Sequence, residues 1–135
     1  MMTSRRVHVA VCWVYIVSLV VQFLLAGIGV MGGDIDLHMA FGGLVLHLLI
    51  PFLLIVTAAI GRMGWAQVGW SFGLFVLLTL QIAMVGIGGD MDNNVVQGLH
   101  PALALLSWPY VYFMVLAPAR AMVGHGDVSR QRVRA

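Results

Sequence analysis

The chain has 135 residues, 61% of them hydrophobic and 9% charged, and its mean hydropathy is +1.01. Soluble domains carry about 25% charged residues, so the composition excludes a soluble globular fold and gives an integral membrane protein. The formal net charge of +2 is no signal for nucleic acid, and the single cysteine excludes a disulfide framework and a thiolate metal cluster.

Formal charges divide the chain into four uncharged runs, 7–33, 37–61, 63–89 and 93–119. Each is longer than the roughly 20 residues that carry an α-helix across a hydrocarbon core. The expected fold is therefore an all-α membrane protein, a bundle of four transmembrane helices at about residues 7–29, 37–60, 65–88 and 96–117. They form one domain over 1–117, followed by a basic tail over 118–135. The first run is too long for the apolar core of a signal peptide, and no A-x-A site precedes Asp34. Arg5, Arg6, Arg62 and Arg120 fall on one side of the membrane, and Asp34, Asp36, Asp90 and Asp92 on the other. Because cytoplasmic loops collect basic residues, both termini are expected inside, in a multi-pass protein of the cell inner (plasma) membrane.

In chain order, residues 1–6 form a short polar lead, and His8 is expected at the cytoplasmic membrane surface with no special role. The first helix carries Gln22, whose amide needs a partner inside the membrane; it is either a helix-to-helix hydrogen bond or a polar contact near a buried cofactor. Gly27 and Gly29 close this helix and let a backbone or a flat ligand approach. The second helix holds His38 in its first turn and His47 about 13 Å deeper. Nine residues at about 100° each place the two rings on opposite faces, so they are not expected to share a ligand. Gly42, one turn below His38, leaves space on the His38 face.

The third helix opens with Trp65 and Trp70, placed for an aromatic belt. It repeats the membrane-embedded amide as Gln81 and the paired glycines as Gly86 and Gly88. The fourth opens with Gly98-Leu99-His100-Pro101, where a proline in the first turn lacks no hydrogen bond. Ala104 is the small residue one turn below His100, Pro109 is expected to kink the helix, and Trp108, Tyr110 and Tyr112 read as packing and interface residues. The tail with Arg130, Arg132 and Arg134 suits anionic headgroups.

The chain is read as built twice. Gln22, Gly27 and Gly29 recur 59 residues on as Gln81, Gly86 and Gly88, the GGD-x-D of 32–36 recurs at 88–92, and His38 recurs as His100. The three additional residues of the second copy are assigned to its connecting loop. Two helical hairpins that both start inside are parallel repeats related by an axis along the membrane normal, which brings His38 and His100 to one depth. Facing imidazole nitrogens about 4 Å apart, each about 2 Å from a metal, suit axial ligation of a haem iron. Zinc held with the loop aspartates is one alternative, and two surface histidines bonded to backbone or water is another.

At these residues the chain resembles haem A synthase and its relatives. That family has two similar four-helix halves, each with a haem site made by a histidine at the outer end of its second helix and another at the outer end of its fourth. The G-x-G of the first helix, the acidic loop, His38, the second acidic loop and His100 match one such half over the whole hydrophobic part of the chain. The resemblance implies haem b (iron protoporphyrin) ligated by His38 and His100, with Gly27, Gly42, Gly86 and Ala104 about the ring. The family's catalytic half has a glutamate three residues before its first histidine and an arginine directly after it; here those positions are Ile35 and Met39. The implied role is accordingly electron transfer or haem handling with an unidentified redox partner, in a half-synthase or small cytochrome b-like protein, and synthase activity itself is not expected.

The rival reading is a structural or assembly subunit of a larger membrane complex without its own cofactor, whose aspartates contact a partner. For His47 two arrangements stay open: a homodimer, which restores eight helices and covers an outward-facing His47 that lipid would otherwise meet at a cost of a few kcal/mol, or a His47 that turns toward the first or third helix within its own bundle.

Overall fold

The computed structural model describes residues 2–124. Four helices, each long and apolar enough to cross a membrane, follow one another: α1 (Met2–Val30), α2 (Ile35–Ile60), α3 (Trp65–Asp90) and α4 (Asn94–Gly124). Among the described residues there is no strand. The helices overrun the expected limits at several ends. The first begins at Met2, so the polar lead is its opening turn, and the fourth continues to Gly124 beyond the expected end at 117. Arg130, Arg132 and Arg134 of the expected tail lie outside the described residues.

Turn chemistry explains why the chain reverses where it does. Gly32 has φ +92° and Gly64 φ +87°, left-handed backbone that glycine adopts without a Cβ clash. Arg62 and Asp92 also have positive φ, 48° and 49°, and aspartate tolerates that region because its short side chain can bond locally.

The packing is that of a bundle whose solvent is hydrocarbon. Tyr15, Leu54, Leu74, Val111, Val115 and Leu116 are completely buried between the helices, whereas Val17, Leu44, Leu105 and Phe113 on the outer faces are each more than 60% exposed. Several polar groups in the interior pair with one another or with backbone, as a medium without water favours. The Tyr15 hydroxyl donates to Ser107 Oγ at 2.6 Å, and Ser107 in turn donates to the Ala104 carbonyl at 2.6 Å, joining α1 to α4.

Burial follows a common spacing in α1 and α3. His8, Cys12, Tyr15 and Leu19 are buried in α1, and Gln67, Ser71, Leu74 and Leu78, each 59 residues on, are buried in α3. At the Arg62 end of the bundle this produces a polar cluster. His8 Nδ1 donates to Thr57 Oγ1 at 2.9 Å, and the Gln67 amide donates to His8 Nε2 at 3.1 Å and to the Val115 carbonyl at 2.7 Å. His8 is fully buried, not at the surface as expected, because α1 starts at Met2 and carries it inside. Ser4 and Arg5 cap the end of α2, donating to Thr57 O at 2.9 Å and Gly61 O at 2.9 Å.

Two stretches depart from α-helical winding, residues Phe41–Leu49 within α2 and Val111–Leu116 within α4, both of which are π-helical. Each stands beside a proline, Pro51 and Pro109. Pro51 offers no amide hydrogen to the His47 carbonyl four residues back and its ring crowds that carbonyl, so the wider ladder before it relieves both faults, whereas the stretch after Pro109 follows the α-helical turn that holds the Leu105 carbonyl. Pro101 is also interior, since α4 starts at Asn94 and not at the residues just before His100.

Candidate functional site

Each histidine of the expected pair is positioned by a helix start that its own sequence caps. Asp34 is the N-cap of α2, its carboxylate accepting from the Asp36 amide at 2.8 Å. Asn93 is the N-cap of α4, accepting from the Val95 and Val96 amides at 3.0 and 3.2 Å. An N-cap side chain satisfies amides that have no partner in the first turn. Asp34 and Asn93 are 59 residues apart, so the register of Gln22 and Gln81 continues through the caps. The three additional residues of the second copy therefore lie inside α4, between Asn93 and His100, and not in the loop; Gly88 to Asp90 are still helical where Gly32 to Asp34 form a turn. At about 1.5 Å per residue, His100 sits roughly one turn deeper in its helix than His38 does in its own.

The two rings nevertheless meet. The centroids of His38 and His100 are 6.4 Å apart with planes at 69°. Both are held in the same way by the preceding helix: His38 Nδ1 lies 3.2 Å from the Gln22 backbone carbonyl, and His100 Nδ1 3.0 Å from that of Gln81. A carbonyl accepts and never donates, so each Nδ1 carries the hydrogen and, in the neutral ring, each Nε2 holds a lone pair. At His38 a second contact fixes this assignment. The Gln22 side-chain amide stands 3.3 Å from His38 Nε2 and donates to the His38 carbonyl at 3.0 Å, and an amide nitrogen can approach Nε2 only as a donor. Imidazoles oriented through Nδ1–H to a carbonyl, with Nε2 free to coordinate, are how proteins present histidine to a metal.

The pair borders a cavity of about 520 Å³ walled by all four helices, with Leu19 and Gln22 from α1, His38, Gly42 and His47 from α2, Gln81 from α3 and His100 from α4. Among the described residues, the buried side-chain polar atoms without a hydrogen-bond partner are Gln22 Oε1, Gln81 Oε1 and His47 Nδ1. All three belong to residues that line this cavity. A second cavity of about 500 Å³, walled by Leu44, Phe52 and Phe75 among other apolar side chains, offers hydrocarbon packing and no donor atoms.

His47 is where the sequence expectation fails. It lines the same cavity as His38, with its ring 5.0 Å from that of Phe75, and does not face outward. From Phe41 onward the helix between His38 and His47 is wound as π-helix, which turns less than 100° per residue and swings His47 back toward His38. His47 thus turns toward the third helix within its own bundle, the alternative to the outward face that motivates a homodimer.

The expected small residues divide. Gly42 lines the cavity, and a Cβ there would strike the Gln22 amide. Gly27 and Gly86 are exposed, and a methyl added at either would meet nothing; Ala104 is buried in the helix contact beside Ser107, so these three are not among the lining residues. It is the second glycine of each G-x-G that is confined: a Cβ on Gly29 would meet Ile35, and one on Gly88 would lie 2.6 Å from the Gln97 amide nitrogen.

The donor set suits a metal held by two imidazoles. Two rings each coordinating through Nε2 at about 2 Å, with about 1 Å more from nitrogen to ring centre, have centroids roughly 6 Å apart, close to the 6.4 Å found. Among the described residues no three His, Cys, Asp or Glu side chains gather as a metal site, so the zinc alternative lacks its donors.

The model of a family of unknown function (DUF6220) matches residues 22–87. The matched stretch opens on Gln22, takes in His38, His47 and Gln81, and ends before His100. No curated protein and no solved structure matches the chain. None of these comparisons links the chain to haem A synthase, and that resemblance stands on the residues alone.

Proposed function

We propose that this is a haem b-binding protein of the cell inner membrane, made of two parallel helical hairpins with both termini cytoplasmic, in which His38 and His100 would hold the iron. One observation carries the reading: two imidazoles from different helices, 6.4 Å apart, are each held through Nδ1 by the backbone carbonyl of an equivalent glutamine. Haem bound between them supplies one-electron transfer. The chain's own contribution is orientation and exclusion. Gln22 and Gln81 fix the tautomers, the neighbouring Leu19, Leu46 and Leu78 keep water from the inner wall, and His47 presents a further nitrogen at the cavity. Ile35 and Met39, which also line it, stand where the resembling family has a glutamate and an arginine. The site therefore fits electron transfer or haem handling better than substrate oxidation.

The test is the visible spectrum and haem content of the purified chain. One haem per chain with a low-spin b-type spectrum, lost in His38→Ala and in His100→Ala, is the expected result. A folded protein that takes up no haem overturns the reading and favours an assembly subunit.

A further inference from the structure

The two histidines differ in what stands against Nε2, and the difference has a direction. Both histidines rest on a glutamine carbonyl, but at His38 the Gln22 side chain also folds back, donating to the His38 carbonyl at 3.0 Å and standing 3.3 Å from Nε2. Among the described residues, no amide stands in this way against His100 Nε2, and the Gln81 side chain leaves its own Oε1 unpartnered. The space for the Gln22 amide comes from Gly42, where any Cβ would strike it. The amide closes one coordinating nitrogen while its own Oε1 remains without a partner, so the closed arrangement leaves a buried acceptor unsatisfied, which is costly in a medium without water.

We propose that the Gln22 side chain is a gate on His38, so that His100 Nε2 would be open to the iron first and His38 Nε2 only once the Gln22 amide has left it. This rests on the haem reading above and adds the order of ligation and the residue that controls it. Gln22 acts as a positioning residue. Its backbone carbonyl holds His38 Nδ1 whatever its side chain is, so replacing the side chain opens the gate without disturbing the tautomer.

The experiment mixes full-length, haem-free protein in detergent with iron protoporphyrin in a stopped-flow spectrometer. Wild type is expected to give a fast high-spin species and a slower conversion to the low-spin spectrum. Gln22→Leu should speed the slow phase about tenfold, the effect of removing two membrane hydrogen bonds of average strength, and leave the fast phase unchanged. Gln22→Ala should do the same, guarding against a local packing artefact of leucine. His100→Ala should abolish the fast phase. Wild type that reaches the low-spin state in two phases whose rates Gln22→Leu and Gln22→Ala leave unaltered overturns the gate and spares the haem site. Failure of wild type to yield any low-spin spectrum overturns both.

Discussion

Gln67 donates its side-chain amide to His8 Nε2 across 3.1 Å, and the two residues stand 59 apart, the same interval that separates Gln22 from Gln81. At one end of the bundle, equivalent positions of α1 and α3 bond to each other; at the other end, equivalent positions each hold a histidine. The His8 cluster is fully paired, through Thr57, Gln67 and the Val115 carbonyl. The cavity at the opposite end keeps three unpaired polar atoms. The first arrangement is what stability requires, and the second leaves polar groups open to the ligand proposed above.

Gln67→Leu should therefore cost stability, by about 1–3 kcal/mol, because it strands the His8 nitrogen and the Val115 carbonyl in the interior. Thermal unfolding in detergent should show a lower midpoint, with haem content per folded chain unchanged. An unchanged midpoint would mean that the cluster contributes nothing net.

The glycines allow a prediction of opposite signs. Gly88→Ala forces a methyl against the Gln97 amide, and Gly73→Ala forces one into the Tyr110 hydroxyl, which donates to the Trp70 carbonyl at 2.8 Å. Both should destabilise, by about 1–3 kcal/mol. Gly27→Ala and Gly86→Ala meet nothing and lie within helices, so each should be neutral or stabilising by up to about 1 kcal/mol. Unfolding midpoints of the four variants should sort into these two groups.

The sequence is legible where charge and hydropathy act over long stretches and illegible where winding is local. Four spans follow from four uncharged runs, and the approach of His38 to His100 follows from the recurrence about Gln22 and Gln81. Matching one aspartate motif to the other misplaces the register of the second copy, because the capping role of Asp34 passes to Asn93. Reading Arg5 as a flanking charge puts His8 at the surface, whereas Arg5 caps α2 from within the first helix. The facing of His47 depends on a π-helical stretch that a fixed helical period assumes away. A signal is present in Pro51, which denies the His47 carbonyl its α-helical donor.

The caps can be tested through the site they position. Asn93→Ala removes two bonds to the first turn of α4 and should cost about 1 kcal/mol. Since His100 lies seven residues beyond Asn93 on the same helix, haem affinity should fall with it, whereas Asn93→Asp should retain both. Titration with iron protoporphyrin, alongside thermal unfolding, reads the two effects; equal affinity in Asn93→Ala and wild type would show that the first turn does not set the His100 position.

Low-temperature electron paramagnetic resonance of the oxidised, haem-loaded protein and its single-histidine variants tests the ligation most directly. Two imidazoles on one iron give a low-spin signal in the wild type, and His38→Ala and His100→Ala should each convert it to a high-spin signal while the bundle stays folded. A low-spin signal that survives in either variant, or a folded wild-type protein that gives no haem signal after loading, would contradict the assignment of His38 and His100 as the ligand pair.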